Sequence, residues 1–261
     1  MRLLSVVVLA GALAAVAAAP ASAEIAVGLQ QNGRALTIFD PLSPQASATV
    51  LPVDQSLQAT QLETIAYGSD GKLYATSAER KFYSVDISGS SAVVTPIPAS
   101  GTAFFADGTP PSSPAAGTGA DWDATNNAYF FTLDAAPGST DATNPNPFLE
   151  IPAAGPTALI AAKGQLHYAG LTPPDPQIGG VGFLGSTLYG LETANGASTT
   201  LVTIDPTTGL LTKVPADSAG LGGNTQTLPD IADVAFGPSS GFGWVVLGQG
   251  AAILYVLDPA T

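Results

Sequence analysis

The sequence predicts an all-β protein of β-propeller-like architecture, with about five blades of four-stranded antiparallel sheet and a ring that need not close completely. Three observations carry that expectation. An apolar, β-rich stretch ending in a turn residue recurs at 36–40, 82–86, 201–205 and 254–258, each closing on an Asp, with a degenerate copy at 148–152 where Pro152 replaces it. These turn residues lie 46 to 66 positions apart, and a propeller blade takes about 40 to 50 residues before insertions. Ahead of four of the five stands a second unit, two aromatic residues flanking a polar or Gly-rich turn: Tyr67 with Tyr74, Trp122 with Tyr129, Phe183 with Tyr189, and Phe236 with Trp244. Finally, 29 Gly and 22 Pro in 261 residues, with 10% charged residues, make a poor helical bundle, while 46% apolar residues exclude a disordered chain.

Taken in order, the chain opens on an export signal. Arg2 supplies the positive start, residues 3–19 are almost unbroken Leu, Val and Ala, and Ala21-Ser22-Ala23 offers small residues for cleavage. The apolar run is short of the roughly 20 residues that span a bilayer. Residues 1–23 therefore read as a cleaved signal peptide and 24–261 as one domain, secreted or periplasmic, with no membrane insertion after cleavage. A single all-β domain can occupy that whole length. The chain contains no Cys, which removes Cys nucleophiles, thiolate metal sites and disulfides.

Residues 25–53 offer three strands and lack an opening one. Residues 63–99 hold four, at 63–67, 73–77, 81–86 and 92–97, and comparable units follow at 117–162 and 179–215. The turns Gly68-Ser69-Asp70-Gly71-Lys72 and Asp123-Ala124-Thr125-Asn126-Asn127 are built from residues that adopt tight hairpin angles. In Asp205-Pro206-Thr207-Thr208-Gly209, Asp accepts a local backbone bond, Pro presets φ and Gly takes the positive φ. A four-stranded unit cannot bury its own large apolar residues, so the aromatics should pack between neighbouring units. The last unit, 231–261, has three strands and stops one residue before the Gly of its own turn pattern. Truncation or incomplete closure is expected there, with strand addition by a partner at this C-terminal edge as a further option. Segments 102–118, 135–147 and 173–176 are polar inserts rich in Gly, Pro, Ser, Asp and Asn.

Charge limits the partners. The formal net charge is −13, and without Arg2 six basic residues face 20 acidic ones with no basic stripe. Nucleic acid is excluded as a partner, and anionic membrane surfaces are disfavoured. The partner is instead an unidentified small molecule or protein.

The residues that offer chemistry are few. Gly237-Pro238-Ser239-Ser240-Gly241 matches the G-x-S-x-G pattern of hydrolase nucleophiles, but that motif needs a following helix and the next residues read as a strand. Asp121-Trp122-Asp123 begins a calcium-loop-like run, yet Asn126 and Thr132 stand where an EF-hand needs Gly and Glu. A looser Ca²⁺ site from acidic oxygens is the one cofactor that the sequence leaves open. Aligning the units by their aromatics puts Asp121 where others have Ala66, Gly182 and Ala235. An acid on that innermost strand is either a channel-facing ligand group or a solvated strand end, and the second is the working expectation. His167, the only histidine, excludes a multi-His metal site and is the sole base open to a Ser-His-Asp arrangement. Asp230 and Asp233, at the entry to the last inner strand, are candidates to face Asp121 across a channel. The binding candidates are thus Asp121, Asp123, His167, Asp230 and Asp233, with no catalytic residue and no assigned metal.

One resemblance adds to this. Ile65-Ala66-Tyr67 through Leu73-Tyr74 to 82–86, and Val181-Gly182-Phe183 through Leu188-Tyr189-Gly190-Leu191 to 203–209, resemble secreted bacterial proteins of domain of unknown function 4394. The resemblance spans most of the chain after the signal and implies a propeller-like fold and export, with no activity and no catalytic residues to carry over. Pro152 and the abrupt end depart from its pattern. The sequence therefore points to an exported, non-catalytic propeller used as a binding or scaffold module. The alternative is a cation-assisted hydrolase or lactonase with Asp121, Asp123 and Asp233 around an acidic channel.

Overall fold

The computed structural model describes residues 25–29, 33–40, 44–54, 61–77, 81–97, 117–133, 147–155, 163–170, 178–192, 200–214, 232–236, 243–247 and 253–257. The signal segment, residues 102–116, 135–146 and 173–176 of the inserts, Asp230, Asp258 and the G-x-S-x-G stretch lie outside these residues. Apart from one helical turn at Pro44–Ser47, every regular element described is a strand. The first sheet joins β1 (Ala26–Leu29), β2 (Ala35–Phe39) and β3 (Thr49–Pro52); the second joins β4 (Leu62–Tyr67), β5 (Leu73–Ser77), β6 (Phe82–Asp86) and β7 (Val93–Ile97). The third holds β8 (Gly117–Asp123), β9 (Ala128–Leu133), β10 (Pro147–Pro152) and β11 (Gly164–Gln165). In the fourth, β13 (Ile178–Leu184), β14 (Thr187–Glu192), β15 (Thr200–Ile204) and β16 (Leu210–Lys213) form an antiparallel meander, and the earlier β12 (His167–Tyr168) joins β16 in parallel. The fifth is β17 (Ala232–Phe236), β18 (Gly243–Leu247) and β19 (Ile253–Leu257).

This is a β-propeller arrangement. The first strands of successive sheets, β4, β8, β13 and β17, lie side by side around the ring. Four inner strands joined in succession, β4 to β8, β8 to β13 and β13 to β17, replace the predicted five blades, because β1 approaches β4 less closely than each of these strands approaches the next. The four-stranded blade holds for the second and third sheets only; the first and fifth have three described strands and the fourth has five. The expected hairpin turns are present. Asp86 and Asp205 accept from backbone N–H groups two and three residues on (Ser88 at 2.9 Å; Thr207 at 2.7 Å and Thr208 at 3.2 Å), and Gly209 takes φ 77°. At the degenerate copy the turn instead closes by Gly155 N–H donating to Pro152 O at 2.8 Å.

The core lies between sheets, as the aromatic repeat requires. Leu36 and Leu51 of the first sheet pack with Leu73, Ala75 and Tyr83 of the second. The second sheet's Tyr74 and Phe82 pack with Trp122, Tyr129, Phe131, Leu149 and Ile151 of the third. The third sheet's Phe130 and Phe148 face Val181, Leu188, Val202 and Ile204 of the fourth. Tyr129 and Phe131 point one way and Phe130 the other because successive strand side chains alternate, so one strand serves two junctions.

A polar trio also crosses the second junction: Thr64 Oγ1 lies 2.5 Å from Thr76 Oγ1 and 2.9 Å from the Tyr129 hydroxyl, all buried. Thr64→Val keeps the shape but strips both neighbours of a partner, so a loss of about 1–3 kcal/mol is expected. A double-mutant cycle with Tyr129→Phe checks this, the expected result being a double mutant that loses less than the sum of the two singles.

Candidate functional site

The strand β8 carries the two candidate carboxylates, and its local geometry decides what they do. Each of β4, β8 and β13 has a bulge near its start, between Leu62 and Thr64, Gly117 and Gly119, and Ile178 and Gly180. Counting from these bulges places Asp121 level with Ala66 and Gly182, in agreement with the sequence alignment of the units. Just past the bulge, β8 and β13 touch backbone to backbone: a Cβ on Gly119 would fall 2.5 Å from Val181 N and 2.7 Å from Gly180 Cα.

Asp121 follows on the same side of β8. Its Oδ2 accepts the Phe183 N–H of β13 at 2.6 Å, and its Oδ1 accepts the Trp122 N–H at 2.8 Å. Asp121 is thus neither a channel-facing ligand nor a solvated strand end, correcting the expectation. Inner-strand side chains alternate toward the two flanking blades rather than toward the axis, so this carboxylate is spent on the next blade's backbone. Part of the residue remains accessible, but burial pushes its pKa up to about 6, with the two N–H donors pulling it back only in part.

Asp123 is buried and caps its own hairpin. Oδ1 accepts the N–H groups of Thr125 (2.8 Å) and Asn126 (3.2 Å), and Oδ2 accepts from Asn126 Nδ2 at 2.7 Å. This is the local side-chain-to-backbone bonding that Asp uses to fix a turn. It allows Asn127 its left-handed φ of 50°, and the Asn127 side chain accepts from Ser69 Oγ of the neighbouring hairpin at 2.9 Å.

His167 lies on β12, the outermost strand of the fourth sheet, whereas Asp121 is on the innermost strand of the third, so the two are not brought together. Its Nδ1 is 2.9 Å from Gln165 O and its N–H donates to Gly209 O at 3.0 Å. Asp233 sits on β17 opposite Val246, with its side chain outside the described residues, as is all of Asp230. Among the described residues, no three His, Cys, Asp or Glu side chains come together to hold a metal ion.

Sequence reasoning missed one cluster. The Tyr168 hydroxyl donates to Glu192 Oε2 at 2.6 Å, Lys213 Nζ lies 3.8 Å from the same oxygen, and this ammonium sits 5.6 Å from the Tyr168 ring centroid. Burial and the carboxylate bond together hold the phenol well above its ordinary pKa. The three residues come from β12, β14 and β16, so only the parallel docking of β12, which no local pattern announces, brings them together. The cluster fastens the crossing segment to its sheet.

No family model matches the sequence, and no curated protein matches it. Solved structures do resemble it. A structural-genomics protein of unknown function from Bacteroides thetaiotaomicron has a TM-score of 0.50 at 11% identity, over 89% of this chain and 56% of that one. Virginiamycin B lyase from Staphylococcus aureus gives 0.45 at 12% over 82% and 56%, and a glucose dehydrogenase 0.43 at 11% over 89% and 77%. The chain thus spans little more than half the length of the first two. At such identities the likeness concerns the fold alone.

Proposed function

We propose that the chain is an exported, non-catalytic β-propeller that serves as a binding or scaffold module, of the kind represented by the secreted domain of unknown function 4394 proteins it resembles. The observation that carries this reading is the use of the two candidate carboxylates: both oxygens of Asp121 and both of Asp123 accept hydrogen bonds from the protein's own N–H groups. For Asp121 the donors are the backbone N–H groups of Trp122 and Phe183, and for Asp123 those of Thr125 and Asn126 with the Asn126 side-chain amide, so both carboxylates already serve the fold. The amino-terminal pattern supports export to the periplasm or beyond, and the acidity supports a partner other than nucleic acid. The outer edge of β19 is where an added strand would join the last sheet.

Thermal melting with EDTA and with added Ca²⁺ tests the reading, and the expected midpoint is the same in both. A cation that binds only the folded chain at about 100 times its Kd would add about 2.7 kcal/mol. A clear rise of the midpoint with Ca²⁺ would therefore favour the cation-assisted hydrolase or lactonase built on Asp121, Asp123 and Asp233. For the export part, mass analysis of protein recovered outside the inner membrane should find Glu24 at the amino terminus.

A further inference from the structure

We propose that the outer edge of β19 is the interface of a homodimer, in which β19 of a second copy of this chain pairs antiparallel with it about a twofold axis. This rests on one element of the scaffold reading, the outer edge of the last sheet, and names what fills it. Among the described residues β19 pairs with β18 alone, so its other edge presents a row of backbone N–H and C=O groups to which no described strand is joined.

The other sheets guard their outer edges. β3 contains Pro52 and β7 contains Pro96, each lacking the N–H that a ladder needs. The ends of these two strands also meet, through Asp54 and Pro52 on one side and Ala92 on the other. β11 is two residues long, and β16 is covered by the two residues of β12. By contrast β19 runs for five residues, Ile253-Leu254-Tyr255-Val256-Leu257, apolar or aromatic throughout, with no Pro, Gly or charge. A bare edge of this composition recruits another strand.

The order of residues along the edge says which strand. Antiparallel pairing centred on Tyr255 sets Ile253 against the partner's Leu257 and Leu254 against the partner's Val256, aliphatic opposite aliphatic, with the two copies of Tyr255 facing each other on the axis. Cross-strand pairs of this kind stabilise a ladder. Charge points the same way. A formal net charge of −13 opposes self-association over most of the chain, but residues 234–257, which span β18 and β19, are its longest run without Asp, Glu, Lys or Arg. A twofold contact uses the same edge of both copies, so the pairing closes at two chains and does not propagate.

Sedimentation of the exported chain from about 1 to about 300 μM tests it, since so short a ladder is a small contact whose dissociation falls in that range. The mass should rise from one chain to two and stop there. Over the same range, hydrogen exchange at alternate amides of β19 should slow severalfold, while that of β9 should not respond. Tyr255→Lys and Tyr255→Glu each put like charges on the axis and should stay monomeric, whereas an equal mixture of the two should dimerise, a rescue that misfolded chains would not give. A wild-type chain still monomeric at about 300 μM, a mass that climbs past two chains, or a dimer whose β19 amides ignore concentration overturns the proposal. The wild-type measurements decide even if neither variant folds. A failure here leaves the scaffold reading standing, since that reading falls instead on a rise of the melting midpoint with Ca²⁺.

Discussion

Gly119→Val should cost about 3 kcal/mol or prevent folding altogether. The residue lies in an ordinary extended strand, so backbone strain is not the issue. The obstacle is what a side chain would meet: Val181 N at 2.5 Å, Gly180 Cα at 2.7 Å and Gly180 C at 2.8 Å, all of it backbone. A flexible side chain could swing aside, but a strand held in its own ladder with β14 cannot. Relief would require β8 and β13 to separate, which would also pull Phe183 N–H from Asp121. Alanine already places the offending atom, so Gly119→Ala should be nearly as severe, whereas Gly89→Ala, whose new atom would meet nothing nearer than Ser91 O at 3.7 Å, should be close to neutral. Urea unfolding of the three variants checks the order. Equal stability of Gly119→Ala and Gly89→Ala would mean that the inner strands are not in contact.

The second large effect is expected at Phe130. Its fully buried ring stacks on Phe148 at 5.5 Å within its own sheet and meets Phe183 of the next blade edge-on at 6.0 Å. Phe130→Ala removes the ring joining the third and fourth sheets and should cost about 3–5 kcal/mol, the usual range for a buried Phe. Phe130→Leu retains much of the volume and should cost less than half as much. Since Tyr129 and Phe131 point into the other junction, Phe131→Ala should be similarly costly on its own. The pair Phe130→Ala with Phe131→Ala should be close to additive, since the two rings share no core. Strong coupling in denaturant melts would show the two junctions to be one core.

How much of this the sequence made legible follows from which interactions are local. The turns were readable because Asp86 and Asp205 bond to N–H groups only two or three residues away. The between-sheet core was readable because Tyr74, Trp122 and Phe183 recur at blade spacing and no single sheet can cover them. The direction of Asp121 was not readable. Its partner, Phe183 N–H, lies 62 positions away, and the alternation that aims it there depends on the bulge between Gly117 and Gly119. Asp123 looked like a cation ligand because the Asp and Asn residues that fix a turn are the same residue types that bind Ca²⁺. The blade count was overestimated because a repeat of turn residues marks outer strands, while the ring is defined by which inner strands touch.

The chain passes between blades in a recurrent way. After β3, the Asp54 N–H donates to Ala92 O and Ala92 N–H donates to Pro52 O, each at 2.8 Å, so the exit from the first sheet lies parallel to the start of β7. After β11, His167 and Tyr168 likewise lie parallel to Leu210 and Leu211 on β16. In both places the rim contact depends on residues made roughly 40 positions later, a separation that slows folding. A ribosome or a secretion channel releasing this chain from its amino end would therefore leave each of these exits unanchored until the following sheet emerged. Circular permutants opened between β3 and β4, or between β12 and β13, would detach the rim clasp from the strand it feeds and should assemble more slowly than permutants opened at a hairpin.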